Sequence, residues 1–136
     1  MTGGSELRLN CLASPAAAGP MRHALSAFLT ALEVSGDAGD DILTAVGEAL
    51  ANAVEHAYDT IGQPRDVELL ARMDDTATLA VEVFDRGTFI ERPSRAGRGY
   101  GLRIVRAIAR EVTVETDGGT RVRMIFGPLQ AQAPAT

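Results

Sequence analysis

Three short stretches of this 136-residue chain carry residue types that could do chemistry. The first is Glu48 and Asn52, within Asp41 to Tyr58. A spacing of four sets two helical side chains side by side. A carboxylate next to an amide carbonyl can organise a metal ion or place a base beside one, and the same pair also suits a plain solvated helix face. The second is Asp85-Arg86-Gly87 at the end of a β-rich run. Its carboxylate can accept a hydrogen bond from an exocyclic amine, and a glycine two residues on lets a flat ring approach the backbone. Asp-x-Gly is equally a common turn. The third is Gly97-Arg98-Gly99-Tyr100-Gly101-Leu102 before an apolar helical pattern. Glycines spaced by two expose backbone N–H groups, and a helix N-terminus adds partial positive charge, so together they can cradle an anion. No Gly-Lys-Ser/Thr follows, which excludes a Walker loop, and the late position excludes the Rossmann fingerprint.

These groups need elements to hold them. Successive helical residues are ~100° apart. On that wheel Ile42, Leu43, Val46, Leu50, Ala53, Val54 and Ala57 share an arc roughly 120° wide, the stripe of a helix pressed on a core. Asp41, Thr44, Glu48, Asn52, Glu55 and His56 occupy the opposite side. Upstream, Glu6 to Leu12 alternates as a strand. Ser14-Pro15 reads as a helix start, Gly19-Pro20 as an interruption where the helix restarts, and Met21 to Leu32 as its amphipathic body. Val67 to Met73 and Thr78 to Phe84 read as strands joined by a hairpin at Asp74-Asp75. Thr88 to Arg98 is a polar loop. A helix follows with Leu102, Ile104, Val105 and Ile108 on one side. Val112 to Glu115 and Thr120 to Phe126 read as strands around an Asp117-Gly118-Gly119 turn. The order β-α-α-β-β-α-β-β predicts an α+β fold: a two-layer α/β sandwich, a mixed β-sheet with helices on one face.

Composition narrows the function. The length suits a single domain spanning residues 1–136, with 1–5 and 130–136 as disordered tails. The formal net charge is −5 and no basic run exceeds two residues, which argues against nucleic acid as a direct partner. Arg92, Arg95, Arg98, Arg103 and Arg106 form a local cluster suited to a small anion or an acidic surface. One cysteine, Cys11, permits no intrachain disulfide. The N-terminus has no apolar signal core, and no run approaches the ~18 apolar residues of a membrane span. A cytoplasmic protein is expected.

A Glu-x3-Asn helix, then Asp-x-Gly after a strand, then Gly-x-Gly opening a helix, then Gly-Thr before a last strand resembles the GHKL (Bergerat) ATP-binding fold. Within it, EALANAVEHAY is similar to the bacterial anti-sigma factor serine/threonine kinases. The likeness runs from about Leu7 to Phe126. It implies an enzyme that uses ATP and Mg2+ to phosphorylate an anti-sigma-factor antagonist and that sequesters a sigma factor. Glu48 matches the family's catalytic base and Asn52 its Mg2+-holding amide. Asp85 matches the adenine-binding aspartate, with Gly87 packing near the base. Gly99 and Gly101, followed by Leu102, match the phosphate cradle, and Thr120 the threonine of the adenine network. Arg22 sits where the family has a partner-facing arginine, and a homodimer is common in the family.

The sequence departs from the pattern in places. Phe89 replaces a glycine of Asp-x-Gly-x-Gly. The lid, about Ile90 to Arg98, is short and lacks lysine, and Ala51 replaces a threonine of some members. These departures support an alternative, an ATP- or ADP-binding regulatory module that sequesters a partner without kinase activity.

Overall fold

A computed structural model of the chain describes residues 5–14, 16–34, 36–58, 66–86, 101–116 and 118–129. Strand β1 (Ser5–Leu12) alternates inward Leu7, Leu9 and Cys11 with exposed Glu6, Arg8 and Asn10. Ser5, which composition assigns to a tail, is paired with Met73 and belongs to the strand. Helix α1 spans Ala18–Ala31. It therefore starts after the Ser14 position that the sequence suggests. Ahead of it, Ala16 and Ala17 are in a turn, and the Ala17 N–H donates to the Ser14 carbonyl at 3.0 Å. Pro20 sits in the first helical turn without forcing a restart, because N–H groups there have no helical acceptor to lose. The helix stops at a left-handed residue, Glu33 (φ 62°). The Glu33 and Val34 amides cap the Thr30 and Leu29 carbonyls there.

Helix α2 (Gly36–Tyr58) is longer than its apolar stripe suggests, starting already at Gly36. Strands β2 (Asp66–Met73) and β3 (Leu79–Asp85) form the expected hairpin. Helix α3 (Gly101–Ile108) precedes β4 (Glu111–Glu115) and β5 (Thr120–Phe126). The five strands lie in the order β1-β2-β3-β5-β4.

Element order predicts a mixed sheet, yet every pairing is antiparallel. The reason is β5. It inserts between β3 and β4, which run the same way, so the two strands joined by α3 never pair directly.

One sheet face is buried. Val67, Leu69 and Ala71, then Leu79, Val81 and Val83, then Met124 and Phe126 are at most 3 % exposed. Met21, Leu25 and Leu29 of α1 and Ile42, Ala45, Val46, Ala49, Leu50, Ala53 and Val54 of α2 close over them. Each large aliphatic removed from water contributes about 1.5–3 kcal/mol. Helix α2 is central: it meets β2, β3 and β5 below and has α1 and α3 beside it.

The opposite sheet face is open and charged. Arg121 Nη1 donates to Glu82 Oε1 at 3.1 Å and lies 4.6 Å above the Phe84 ring, while Arg72 bridges to Glu6 at 2.9 Å. The Arg72 guanidinium holds the Glu6 carboxyl below its ordinary value. Among the described residues, no helix is long and apolar enough to cross a membrane.

Candidate functional site

The buried sheet face is apolar except at one end. Asp85, the last residue of β3, is 1 % exposed, and Thr120, the first of β5, is 2 % exposed. They are the only buried polar side chains among the described residues, and the β3–β5 register sets them opposite each other. The same row continues to Val67 and Cys11, so the polar pair sits at the rim of the core. The Thr120 hydroxyl is buried with no hydrogen-bond partner among the described residues. Such a group costs about 1–3 kcal/mol.

Gly119 explains how the strands approach so closely. Its φ is 134°, and a Cβ there would collide with the Asp85 carbonyl oxygen and lie 3.1 Å from Arg86 Cα. Only glycine accommodates both the angle and the contact. A buried carboxylate opposite such a hydroxyl offers an acceptor and a donor, the set that a flat heterocycle with an amine and a ring acceptor would use. Adenine has that pattern, so these residues fit an adenine nucleotide.

Glu48 and Asn52 are both half-buried on α2, which packs on β3, β5 and α3. They continue a polar column begun by Thr44, whose hydroxyl donates to the Asp40 carbonyl at 2.9 Å. Glu55 is also half-buried, and the His56 side chain lies outside the described residues. No group of three or more His, Cys, Asp or Glu able to hold a metal occurs among the described residues. A hard cation here would have the Asn52 carbonyl oxygen and would complete its shell from phosphates and water, a set that suits Mg2+.

Gly101 is the first residue of α3 and Leu102 is half-buried in its first turn. The helix's other end is tied down at the far end of β5 from Thr120. There the Arg110 amide donates to the Ile125 carbonyl at 2.8 Å and Arg110 Nη1 to the Gly127 carbonyl at 3.0 Å. Gly87, Gly99, Phe89 and the loop arginines Arg92, Arg95 and Arg98 lie outside the described residues.

Arg22, on exposed α1 surface, is not a lone surface arginine. Its Nε donates to the Leu43 carbonyl of α2 at 3.4 Å and it lies over Gly47. The sequence reading missed Gly47. A glycine in mid-helix, where no turn is needed, was the signal available.

The histidine kinase-like ATPase domain matches residues 11–126 of this chain. An anti-sigma F factor from Pasteuria penetrans is 33% identical, over 76% of this chain and 78% of that protein. An anti-sigma F factor from Clostridium acetobutylicum is 26% identical, over 77% and 80%. Among solved structures, the RsbU and RsbW domains of Rv1364c from Mycobacterium tuberculosis align with a TM-score of 0.70 at 26% identity. That match covers 90% of this chain, which spans only 32% of the longer protein. The resemblance to the GHKL ATPases therefore holds across sequence and fold, and this chain belongs to the histidine kinase-like ATPase domain family.

Proposed function

We propose that this chain is an ATP-dependent protein serine/threonine kinase of the anti-sigma type. In this reading it phosphorylates a small anti-sigma-factor antagonist and sequesters a sigma factor. The names of its relatives support the class. The observation that carries nucleotide binding is the buried Asp85 opposite the unpartnered Thr120 hydroxyl. Asp85 accepts the adenine amine, Thr120 completes the base's hydrogen bonds and Gly87 packs near the ring. The amides of Gly99 and Gly101 and the start of α3 at Leu102 face the phosphates.

Phosphoryl transfer needs positioning and charge neutralisation more than covalent chemistry by the protein. Glu48 takes the proton from a substrate serine or threonine hydroxyl. That oxygen bonds to the γ-phosphorus, the bond to the β–γ bridging oxygen breaks, and ADP leaves. Asn52 would hold Mg2+ through its side-chain oxygen, and the ion when bound would neutralise phosphate charge. Arg22 faces the protein partners. The partners are a sigma factor, the antagonist and a second copy of the chain. With a net charge of −5, nucleic acid is not among them. One free cysteine fits a reducing cytoplasm.

The test is incubation with the antagonist, Mg2+ and labelled ATP. Glu48→Ala is expected to slow transfer by about 10²–10⁴-fold, the usual worth of a general base, with adenine-nucleotide affinity retained. No transfer by the wild type, or undiminished transfer by the variant, overturns the kinase reading. Nucleotide binding without transfer supports instead a regulatory module that sequesters its partner, the reading to which Phe89 points.

A further inference from the structure

We infer that Gly47 is a positioning residue: its bare backbone seats Arg22 and so sets the partner-facing guanidinium beside the helix turn that carries Glu48. The inference rests on the kinase reading above and adds to it a residue that acts on the partner only through Arg22.

Gly47 lies at the middle of α2, between buried Val46 and half-buried Glu48. Glycine is among the least favourable residues in a helix interior, and no bend or left-handed angle calls for it here. The neighbour that needs the space is Arg22. A Cβ on Gly47 would stand 3.2 Å from Arg22 Nε and 3.3 Å from its Cδ. Both distances are tighter than ordinary van der Waals contact between such atoms.

In the glycine chain, Arg22 Nε–H reaches the Leu43 carbonyl at 3.4 Å. That carbonyl belongs to the turn before Gly47 and is the regular helical acceptor of the Gly47 amide. With Nε bonded and the side chain resting on bare backbone, the two terminal Nη groups of this exposed arginine remain available. They have no hydrogen-bond partner among the described residues. A guanidinium held in this way loses less freedom when a partner engages it.

Alanine at position 47 must displace Arg22, and it can do so because the arginine is exposed and a shift of a few tenths of an ångström clears the contact. The helix itself gains from the change, so the variant folds. Gly47→Ala is expected to raise the midpoint of thermal unfolding and leave the affinity for ATP unchanged. KM for the antagonist is expected to rise about five-fold, the effect of one ordinary hydrogen bond. In an Arg22→Ala background the same substitution is expected to change KM for the antagonist no further, although its effect on stability persists. Exchange of the Arg22 Nε–H proton, followed by NMR in the isolated chain, is expected to speed up in Gly47→Ala.

An unchanged Nε–H exchange rate overturns the seat itself without any partner present. An equal rise in KM with and without Arg22, or no rise, overturns its role toward the partner. A wild-type chain that engages no antagonist overturns the kinase reading and with it the role toward the partner, while the exchange result still decides the seat of Arg22 on Gly47.

Discussion

Two aspartates border the same hairpin in opposite surroundings. Asp74 stands in the β2–β3 turn, exposed, and the turn saturates one of its carboxylate oxygens. Its Oδ1 accepts from the Thr76 amide at 2.8 Å, the Thr76 hydroxyl at 2.7 Å and the Thr78 amide at 3.0 Å. The Thr76 hydroxyl first, then the Thr78 amide, hold its carboxyl below the ordinary 3.8. Asp85, at the other end of β3, is buried across from a hydroxyl without a partner. Where polar groups are matched within the chain, they fix a turn. Where a hydroxyl is buried with no partner among the described residues, as at Thr120, the fold gives up some stability and keeps hydrogen-bonding capacity for something else. A hollow of about 390 Å³ lies at the Asp74 end, between Leu32, Val34, Met73, Ala77 and Leu129. It holds no such unmatched group, so size alone does not mark the site.

The contrast can be broken most forcefully at Asp85. Asp85→Ala is expected to weaken adenine-nucleotide binding by about 10–100-fold, the worth of one charge-assisted hydrogen bond, as read by calorimetry. Unaltered affinity would show that the buried carboxylate is structural, like Asp74. A smaller and more telling effect is expected from Thr120→Val, which keeps the shape and removes the orphaned hydroxyl. Stability should rise by about 1 kcal/mol while nucleotide affinity falls about five-fold. A loss of stability would mean that the hydroxyl is satisfied within the protein.

The smallest effect on function belongs to Asp74. Asp74→Ala should lower the unfolding midpoint without touching nucleotide affinity. Because folding depresses this carboxyl, its contribution is present above pH 3.8 and is lost as the pH falls through the folded-state value. The difference in midpoint between wild type and variant should therefore narrow as thermal melts are taken to lower pH.

The elements and the candidate residues were legible because their signals are local. The helical period fixes α2 and puts Glu48 and Asn52 on one side. Alternation fixes β1, and Asp74-Asp75 marks the β2–β3 hairpin. Ser14 misled because a serine before a proline has the look of a cap, whereas the chain spends one more turn before α1 begins at Ala18. The all-antiparallel sheet was not legible. Strand pairing is set across long stretches of sequence, and no local pattern says that β5 enters between β3 and β4.

Sequence by itself therefore determined which residues could do chemistry: Glu48 and Asn52 by helical spacing, Asp85 and Gly101 by their motifs. Tertiary structure alone decided what surrounds them. It set Asp85 against Thr120, buried both, and left a hydroxyl unpaired, because a register between distant strands fixes which side chains face each other. It also laid Arg22 on Gly47, because a long side chain can rest on a neighbouring helix backbone only where no side chain stands in its way.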